Sequence, residues 1–318
     1  MLRLAIGGIR DRNDLTLLAT VLVWGVNFAV LKVALADLNP FVVNSLRFTV
    51  SALVLGGVYL AGQRGSNLQN SLLQPVRAGG WQVVALGVLG YWCFPVAFIV
   101  GMDATTAGNA ALIMASAPLW TAMVSQFIGL ERLGGLAWLG LLVAVVGTAV
   151  VVFGGGGVAL GGSTMVGNAI VLLAAILWGV YTALNRPVLD RVSPLALTFF
   201  GLLVALPFLH LLAVPYYGSV EWGSITLPVW GAVVFTGALG TGLAIVWWNS
   251  SVQAVGPSTT GVYGNVVPIV ALASGLVFLN EPIGAVQLLG TVLIIGGVLV
   301  VRRAKPVMAE EYDECRSC

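Results

Sequence analysis

Charge is what this sequence most lacks. Asp, Glu, Lys and Arg make up 8% of its 318 residues, against 59% hydrophobic. A water-soluble domain carries about 25% charged residues. With a mean hydropathy of +1.01, the chain cannot cover its own surface in water, so lipid is the solvent for most of its length. Carboxylates are missing from the middle of the apolar runs: Asp103, Glu131 and Glu281 all stand at run ends. There is a single histidine, His210. An intramembrane enzyme needs clustered acids, a metal set or a nucleophile–base pair, and this inventory argues against all three. No G-x-x-x-x-G-K-[ST] phosphate loop occurs, so ATP hydrolysis by the chain is unsupported. Of three cysteines, Cys93 lies in an apolar run and Cys315 and Cys318 in a polar tail, which argues against a disulfide framework. No cofactor, metal or nucleic-acid partner is expected.

Long apolar runs are what the sequence does have. Ten are legible: 15–35, 41–61, 80–102, 105–128, 136–153, 165–185, 194–214, 228–252, 257–279 and 285–301. Each is long enough to cross or nearly cross a bilayer, and in hydrocarbon a lone segment must be helical to pair its backbone groups. MLRLAIGGIRDRNDL lacks the small-residue cleavage site of a signal peptide, so the first run reads as an uncleaved helix. Ten spans put Arg3, Arg10, Arg12, Arg64, Arg77, Arg132, Arg186, Arg191, Arg302, Arg303, Lys305 and Arg316 on one face, leaving Lys32 and Arg47 near the other. Cations are retained in the cytoplasm, so both termini are expected there, with 1–14 and 302–318 as cytoplasmic segments.

The chain also repeats itself. SAPLWTAMVSQFIGLE (116–131) and VVPIVALASGLVFLNE (266–281) share a proline and a glutamate at equal spacing. At an offset of 150, Gly87, Gly90, Pro118, Glu131, Gly140 and Gly147 match Gly237, Gly240, Pro268, Glu281, Gly290 and Gly297. VLVWGVNFAVLK around Trp24 is similar to AILWGVYTALNR around Trp178, at an offset of 154. The expected fold is therefore all-α and membrane-integral, with ten transmembrane helices as two inverted five-helix repeats, 15–153 and 166–301. Five is odd, so the halves enter from opposite faces. Inverted repeats suit alternating access.

WGVNFAVLKVAL, NPFVVNSLRF, TTAGNAALIMASAPLWTAMVSQFIGLERLGGLAWLGLLVAVVG and GNVVPIVALASGLVFLNEPIGAVQLLGTVLIIGG resemble the EamA-type members of the drug/metabolite transporter superfamily. The resemblance implies a ten-helix carrier of small metabolites, often an exporter of amino acids or related compounds. It further implies a central cavity lined by helices one to four and six to nine. A bacterial inner membrane, a small-molecule substrate and a monomer are the matching expectations. Drug or nucleotide-sugar transport is the alternative within the fold; a pore or an intramembrane enzyme is the alternative outside it.

Spans five and ten are almost purely aliphatic and small, and offer a polar substrate nothing. Polar and aromatic residues gather in the others. Trp24 and Asn27 share a helix face, as do Trp178, Tyr181 and Asn185 in the equivalent span. An amide at depth needs a partner or a wet cavity; helix–helix bonding and substrate binding both satisfy it. Arg47, about 9 Å along span two, either holds a substrate carboxylate or snorkels outward. Tyr91, Trp92, one of the adjacent pair Trp247 and Trp248 (Trp248 is preferred), and Tyr263 complete the aromatic set, with Ser116 a further polar candidate. Asn109, Thr241, Asn249 and Asn265 are weaker ones. Pro118 and Pro268 remove a backbone donor inside related spans and read either as hinges or as static kinks. His210 is either a titrating group or a satisfied interfacial side chain. Without a deep carboxylate, facilitated diffusion or exchange is the leading energetic expectation.

Overall fold

The computed structural model describes residues 12–62, 68–132, 134–154, 163–280, 283–303 and 307–308. Ten apolar helices dominate it: α1 (Arg12–Asp37), α2 (Pro40–Gly62), α3 (Trp81–Asp103), α4 (Ala107–Phe127), α5 (Gly135–Gly154), α6 (Ser163–Leu189), α7 (Pro194–Tyr217), α8 (Leu227–Val255), α9 (257–279) and α10 (Ala285–Arg303). They follow the expected spans to within a few residues. An additional helix, Leu68–Gly79, joins α2 to α3. Its LQNSLLQPVRAG is too short and too polar to register as a span.

Local chemistry sets the helix ends. The side chain of Thr106 accepts from the Asn109 amide at the start of α4, and that of Ser193 accepts from the Ala196 amide at the start of α7. Each satisfies one of the amides that a helix leaves unpaired at its first turn. Pro40, Pro194 and Pro257 open their helices, where the missing N–H costs nothing. Gly256, at φ 84°, turns the chain from α8 into α9, a conformation that glycine adopts without steric cost.

Helices alternate between a near face, where α1 starts and α10 ends, and a far face. Glu131–Arg132, after α4, pairs antiparallel with Val307–Met308, after α10. Both segments therefore share one face, as an even number of spans requires. Glu281, expected on the opposite face, lies outside the described residues.

The two repeats are related by a pseudo-two-fold, visible in reciprocal close approaches. A Cβ added at Gly25 of α1 would meet Val270 of α9; one added at Gly179 of α6 would meet Trp120 of α4. Those pairs correspond through the offsets of 154 and 150. At the α5–α10 contact, a Cβ on Gly147 would lie 2.8 Å from the Ile294 nitrogen, and one on Gly297 would lie 2.6 Å from the Ala144 nitrogen. Small residues allow this backbone approach in a medium where helix association rests on packing rather than on the hydrophobic effect.

The repeats are not separate packing units. α1 and α2 pack on α8 and α9 of the second repeat, while α6 and α7 pack on α3 and α4 of the first. The α2–α7 seam joins these interleaved groups on one side and α4–α9 on the other, with α5 and α10 paired at the periphery. Large apolar side chains cover the outside: Leu53 is 72% exposed and Leu211 69%. Such exposure is unremarkable against lipid tails, which are as apolar as leucine.

Candidate functional site

The helices lose their regularity at the centre of the bundle. α3 widens into a π-helical turn at Leu89–Cys93, and α8 does so at Thr236–Leu243. In α3, Pro95 follows at once and cannot donate to the carbonyl of Tyr91. α4 breaks at Ala115–Ser116, just before Pro118, and α9 tightens into a 3-10 turn at Gly264–Val266, just before Pro268. All four breaks fall at repeat-related positions. Irregular backbone at membrane depth is tolerated where protein buries it or a cavity adjoins it.

A cavity of about 110 Å³ occupies this centre. Its walls come from α1, α2, α3, α4, α6, α8 and α9. Of the residues proposed from sequence, Trp24, Asn27, Arg47, Trp178, Trp248 and Pro118 line it, as does Thr241 from the weaker candidates. Trp24, Trp178 and Trp248 form a cluster, with ring centroids 5.0 to 6.0 Å apart. Trp24 is fixed by donating its Nε1 proton to the Gly240 carbonyl at 2.9 Å, within the π-helical turn of α8. Asn27 sits against the same glycine: a Cβ there would fall 2.5 Å from its Oδ1.

Arg47 is buried at 4% exposure. Its Nε donates to Asn44 Oδ1 at 2.8 Å, and Asn44 Nδ2 donates in turn to the Pro95 carbonyl at 2.9 Å. The guanidinium carbon lies 5.3 Å from the Phe48 ring centroid. Among the described residues no carboxylate pairs with Arg47; the ion pair shown there is Arg186–Asp190. The walls thus supply a cation held by one edge and three indoles. They also supply two buried polar atoms without a protein partner, Asn27 Oδ1 and Trp248 Nε1. Buried polar atoms are almost always paired, so a bound solute or water is the natural complement.

Other proposed residues lie outside the cavity. Tyr91, Tyr181 and Asn185 are fully buried in a separate polar cluster. The two tyrosine hydroxyls are 2.9 Å apart, and Asn185 Nδ2 donates to Asn249 Oδ1 at 2.9 Å. Asn249 Nδ2 reaches Tyr181 Oη at 3.0 Å and Thr198 Oγ1 at 3.1 Å. The reason is a broken symmetry. Through the repeat offsets Tyr181 corresponds to Asn27, Tyr91 to Thr241 and Gly201 to Arg47. The Tyr91 ring fills the space that a side chain at Gly201 would need: a Cβ there would lie 2.5 Å from Tyr91 Cε2. For the same reason α7 contributes no lining residue, which corrects the expectation that helices six to nine all do so.

Trp92 packs on Phe208 with centroids 5.6 Å apart. Ser116 satisfies itself by donating to the Ile113 carbonyl at 2.7 Å. Tyr263 packs, half-buried, between the two main apolar clusters, and Pro268 is buried away from the cavity. The side chain of Asn265 lies outside the described residues. Phe28, Phe48, Phe94, Phe98 and Met114 line the cavity without having been singled out, since phenylalanine and methionine in an apolar helix look like any other core or lipid-facing residue.

Comparison with known proteins agrees with this architecture. The EamA-like transporter family matches residues 12–153 and again 165–303. The chain is 26% identical over 278 residues to the uncharacterized transporter YyaM of Bacillus subtilis, covering 86% of this chain and 88% of that protein. It is 29% identical over 293 residues to a probable terminal-alkyne amino-acid exporter of Streptantibioticus cattleyicolor, covering 90% and 92%. One crystal structure superposes with a TM-score of 0.69 at 22% identity, over 92% of this chain and 99% of the other; at that identity the likeness speaks for the fold. Two matched halves, ten helices and a central cavity lead to one conclusion: the chain is an integral membrane protein of the EamA-like transporter family, within the drug/metabolite transporter superfamily.

Proposed function

We propose that the protein carries small zwitterionic compounds, amino acids or close relatives, across a bacterial inner membrane by alternating access. The observation that carries this reading is Arg47. A buried guanidinium is costly in a membrane without an anion, and its neighbours in the cavity are aromatic or neutral. A substrate carboxylate supplies the missing charge through a planar two-point contact. The indole cluster suits the rest of such a molecule, because an ammonium is attracted to an aromatic face and an apolar side chain gains from burial there. Asn27 Oδ1 offers an acceptor to the same ammonium. A single cation argues against multiply anionic substrates such as nucleotide sugars. The similarity to a probable amino-acid exporter points the same way. The cation bias of the sequence makes the near face cytoplasmic, with both termini there, and the breaks before Pro118 and Pro268 serve as hinges.

The test is counterflow in proteoliposomes with labelled amino acids, each paired with its decarboxylated amine. Wild type is expected to exchange the amino acid and to discriminate against the amine. Losing a charged hydrogen bond costs about 1.5–3 kcal/mol, so Arg47→Gln weakens amino-acid recognition by roughly 10- to 100-fold and changes amine recognition little. Equal losses for both compounds, or equal wild-type transport of both, defeat the assignment.

A further inference from the structure

Arg47 does not hold itself in place. NPFVVNSLRF puts Asn44 three residues before it, on the same face of α2. Asn44 is fully buried and lies outside the cavity wall. Its amide serves two neighbours of fixed polarity, since a guanidinium only donates and a carbonyl only accepts. One orientation of the amide suits both. Oδ1 takes the Arg47 Nε proton at 2.8 Å, and Nδ2 donates to the Pro95 carbonyl at 2.9 Å. The Phe48 ring packs on the same group, its centroid 5.3 Å from the guanidinium carbon. The edge that carries Nε is therefore taken. Among the described residues nothing accepts from the two Nη groups, and these are what Arg47 offers the cavity.

Both π-helical turns of the bundle converge on this residue. Its backbone lies against α8: a Cβ added at Gly237, inside the turn, would meet the Arg47 carbonyl at 2.5 Å. Ser51 Oγ is 3.0 Å from that carbonyl and 2.6 Å from the carbonyl of Gly237. The head of Arg47 is tied through Asn44 to Pro95, two residues past the turn of α3. α2 packs with α8, while α3 belongs to the other interleaved group. The amide is thus a link between the two groups.

We propose that Asn44 is the positioning residue of the anion site: it aims the two Nη groups into the cavity without neutralising them. The proposal rests on the reading of Arg47 as the group that binds the substrate carboxylate. Buried charges are ordinarily paired, and an Asp at this position would also accept from Nε. Its charge, however, would stand in for that of the substrate, and it would set a second acceptor against the Pro95 carbonyl. A neutral amide orients the guanidinium and leaves the charge to the solute. With the Nε edge occupied, a carboxylate meets Arg47 end-on, one oxygen to each Nη, in a two-point contact.

The second repeat is built differently at the related positions. Through the offset of 154, Asn44 corresponds to Thr198 and Arg47 to Gly201. Thr198 donates to the Pro194 carbonyl at 2.8 Å and accepts from Asn249 at 3.1 Å. An amide beside a guanidinium therefore arises in the first repeat and not at its counterpart.

Asn44→Asp and Asn44→Leu, close to asparagine in size, test the role, with Arg47→Gln alongside. Full-length protein in nanodiscs, labelled at the arginine side-chain nitrogens, shows the Arg47 Nε–H signal, recognised by its absence from Arg47→Gln. In wild type that proton is expected to exchange slowly with water. Asn44→Leu removes its acceptor and should speed the exchange by about tenfold or more, whereas Asn44→Asp keeps an acceptor and the protection. Counterflow uses leucine, phenylalanine and threonine, each against its decarboxylated amine. The wild-type preference for the amino acid is expected to fall roughly 10- to 100-fold in Asn44→Asp, where the cation is neutralised in place. It should fall several-fold in Asn44→Leu, where the cation is no longer aimed. A packing role alone would lower transport of acid and amine together and leave the preference intact. If both Asn44 variants keep the wild-type preference while Arg47→Gln loses it, the positioning role is wrong and the carboxylate site stands. If Arg47→Gln keeps it too, or wild type shows none, both readings fall. An Nε–H that exchanges as fast in wild type as in Asn44→Leu also overturns the proposal.

Discussion

Gly90 and Gly240 are repeat partners, so one substitution placed at both separates the two polar regions of the bundle. In Gly240→Ala the new methyl lies 2.5 Å from Asn27 Oδ1, 3.1 Å from its Cγ and 3.7 Å from its Nδ2. The obstacle is the tip of a flexible side chain, and rotating it off its preferred angle costs about 0.5–1.5 kcal/mol. The rotation takes the amide away from the cavity and removes one neutral hydrogen bond to a bound solute, worth about 0.5–1.5 kcal/mol. Affinity should fall by a few-fold to roughly tenfold, with little loss of stability. In Gly90→Ala the methyl lies 2.3 Å from Tyr181 Cδ2 and 2.9 Å from Cγ. Here the obstacle is a rigid ring, pinned by its contacts with Tyr91 and Asn249 and by stacking on Trp178 at 5.3 Å. Overpacking of that kind costs about 1–3 kcal/mol. Thermal unfolding in detergent and titration with the transported amino acid measure the two effects side by side. Gly231→Ala, with open space around it, controls for the added methyl on α8. If Gly90→Ala weakens binding more than Gly240→Ala does, or if Gly240→Ala is the less stable protein, the division into a binding cavity and a structural cluster is wrong.

Gly297→Ala should destabilise the α5–α10 pair by about 1–3 kcal/mol, because its methyl meets backbone at 2.5 Å, whereas adjacent Gly296→Ala has open space and should be near neutral; thermal unfolding of the two variants decides it. Asn249→Leu strips Asn185, Thr198 and Tyr181 of a shared partner. Leaving buried polar groups unpaired costs about 1–3 kcal/mol for each, so a loss well above 1 kcal/mol is expected in a denaturant titration; unchanged stability would mean that water replaces the amide.

The sites separated legible from illegible for a physical reason. Trp24, Asn27 and Arg47 were identifiable because a polar or amphipathic side chain at membrane depth is expensive and calls for an explanation. Tyr181 and Asn185 met the same criterion and proved to bond Asn249 away from the cavity, Tyr181 together with Tyr91. Helical spacing places residues on a common face but does not say whether that face meets a cavity or another polar helix. Phe94 and Phe98 gave no signal, since nothing about a phenylalanine in an apolar run distinguishes a cavity wall from a lipid contact. The helix at Leu68–Gly79 escaped notice because the spans were read from apolar length alone.

The sequence by itself determined the number of spans, their helical state and their inverted duplication. Apolar length, the need to pair every backbone amide in lipid, and the spacing of Gly, Pro and Glu leave little else available. Tertiary structure decided how the halves interleave, which of two repeat-related positions became a cavity, and where a histidine meets two hydroxyls. Those outcomes rest on contacts between helices far apart in the chain, such as Ser45 with Tyr217. The decisive difference is between Arg47 and Gly201, equivalent in the repeat: one extends a guanidinium into open space, while the other leaves room that a tyrosine ring takes.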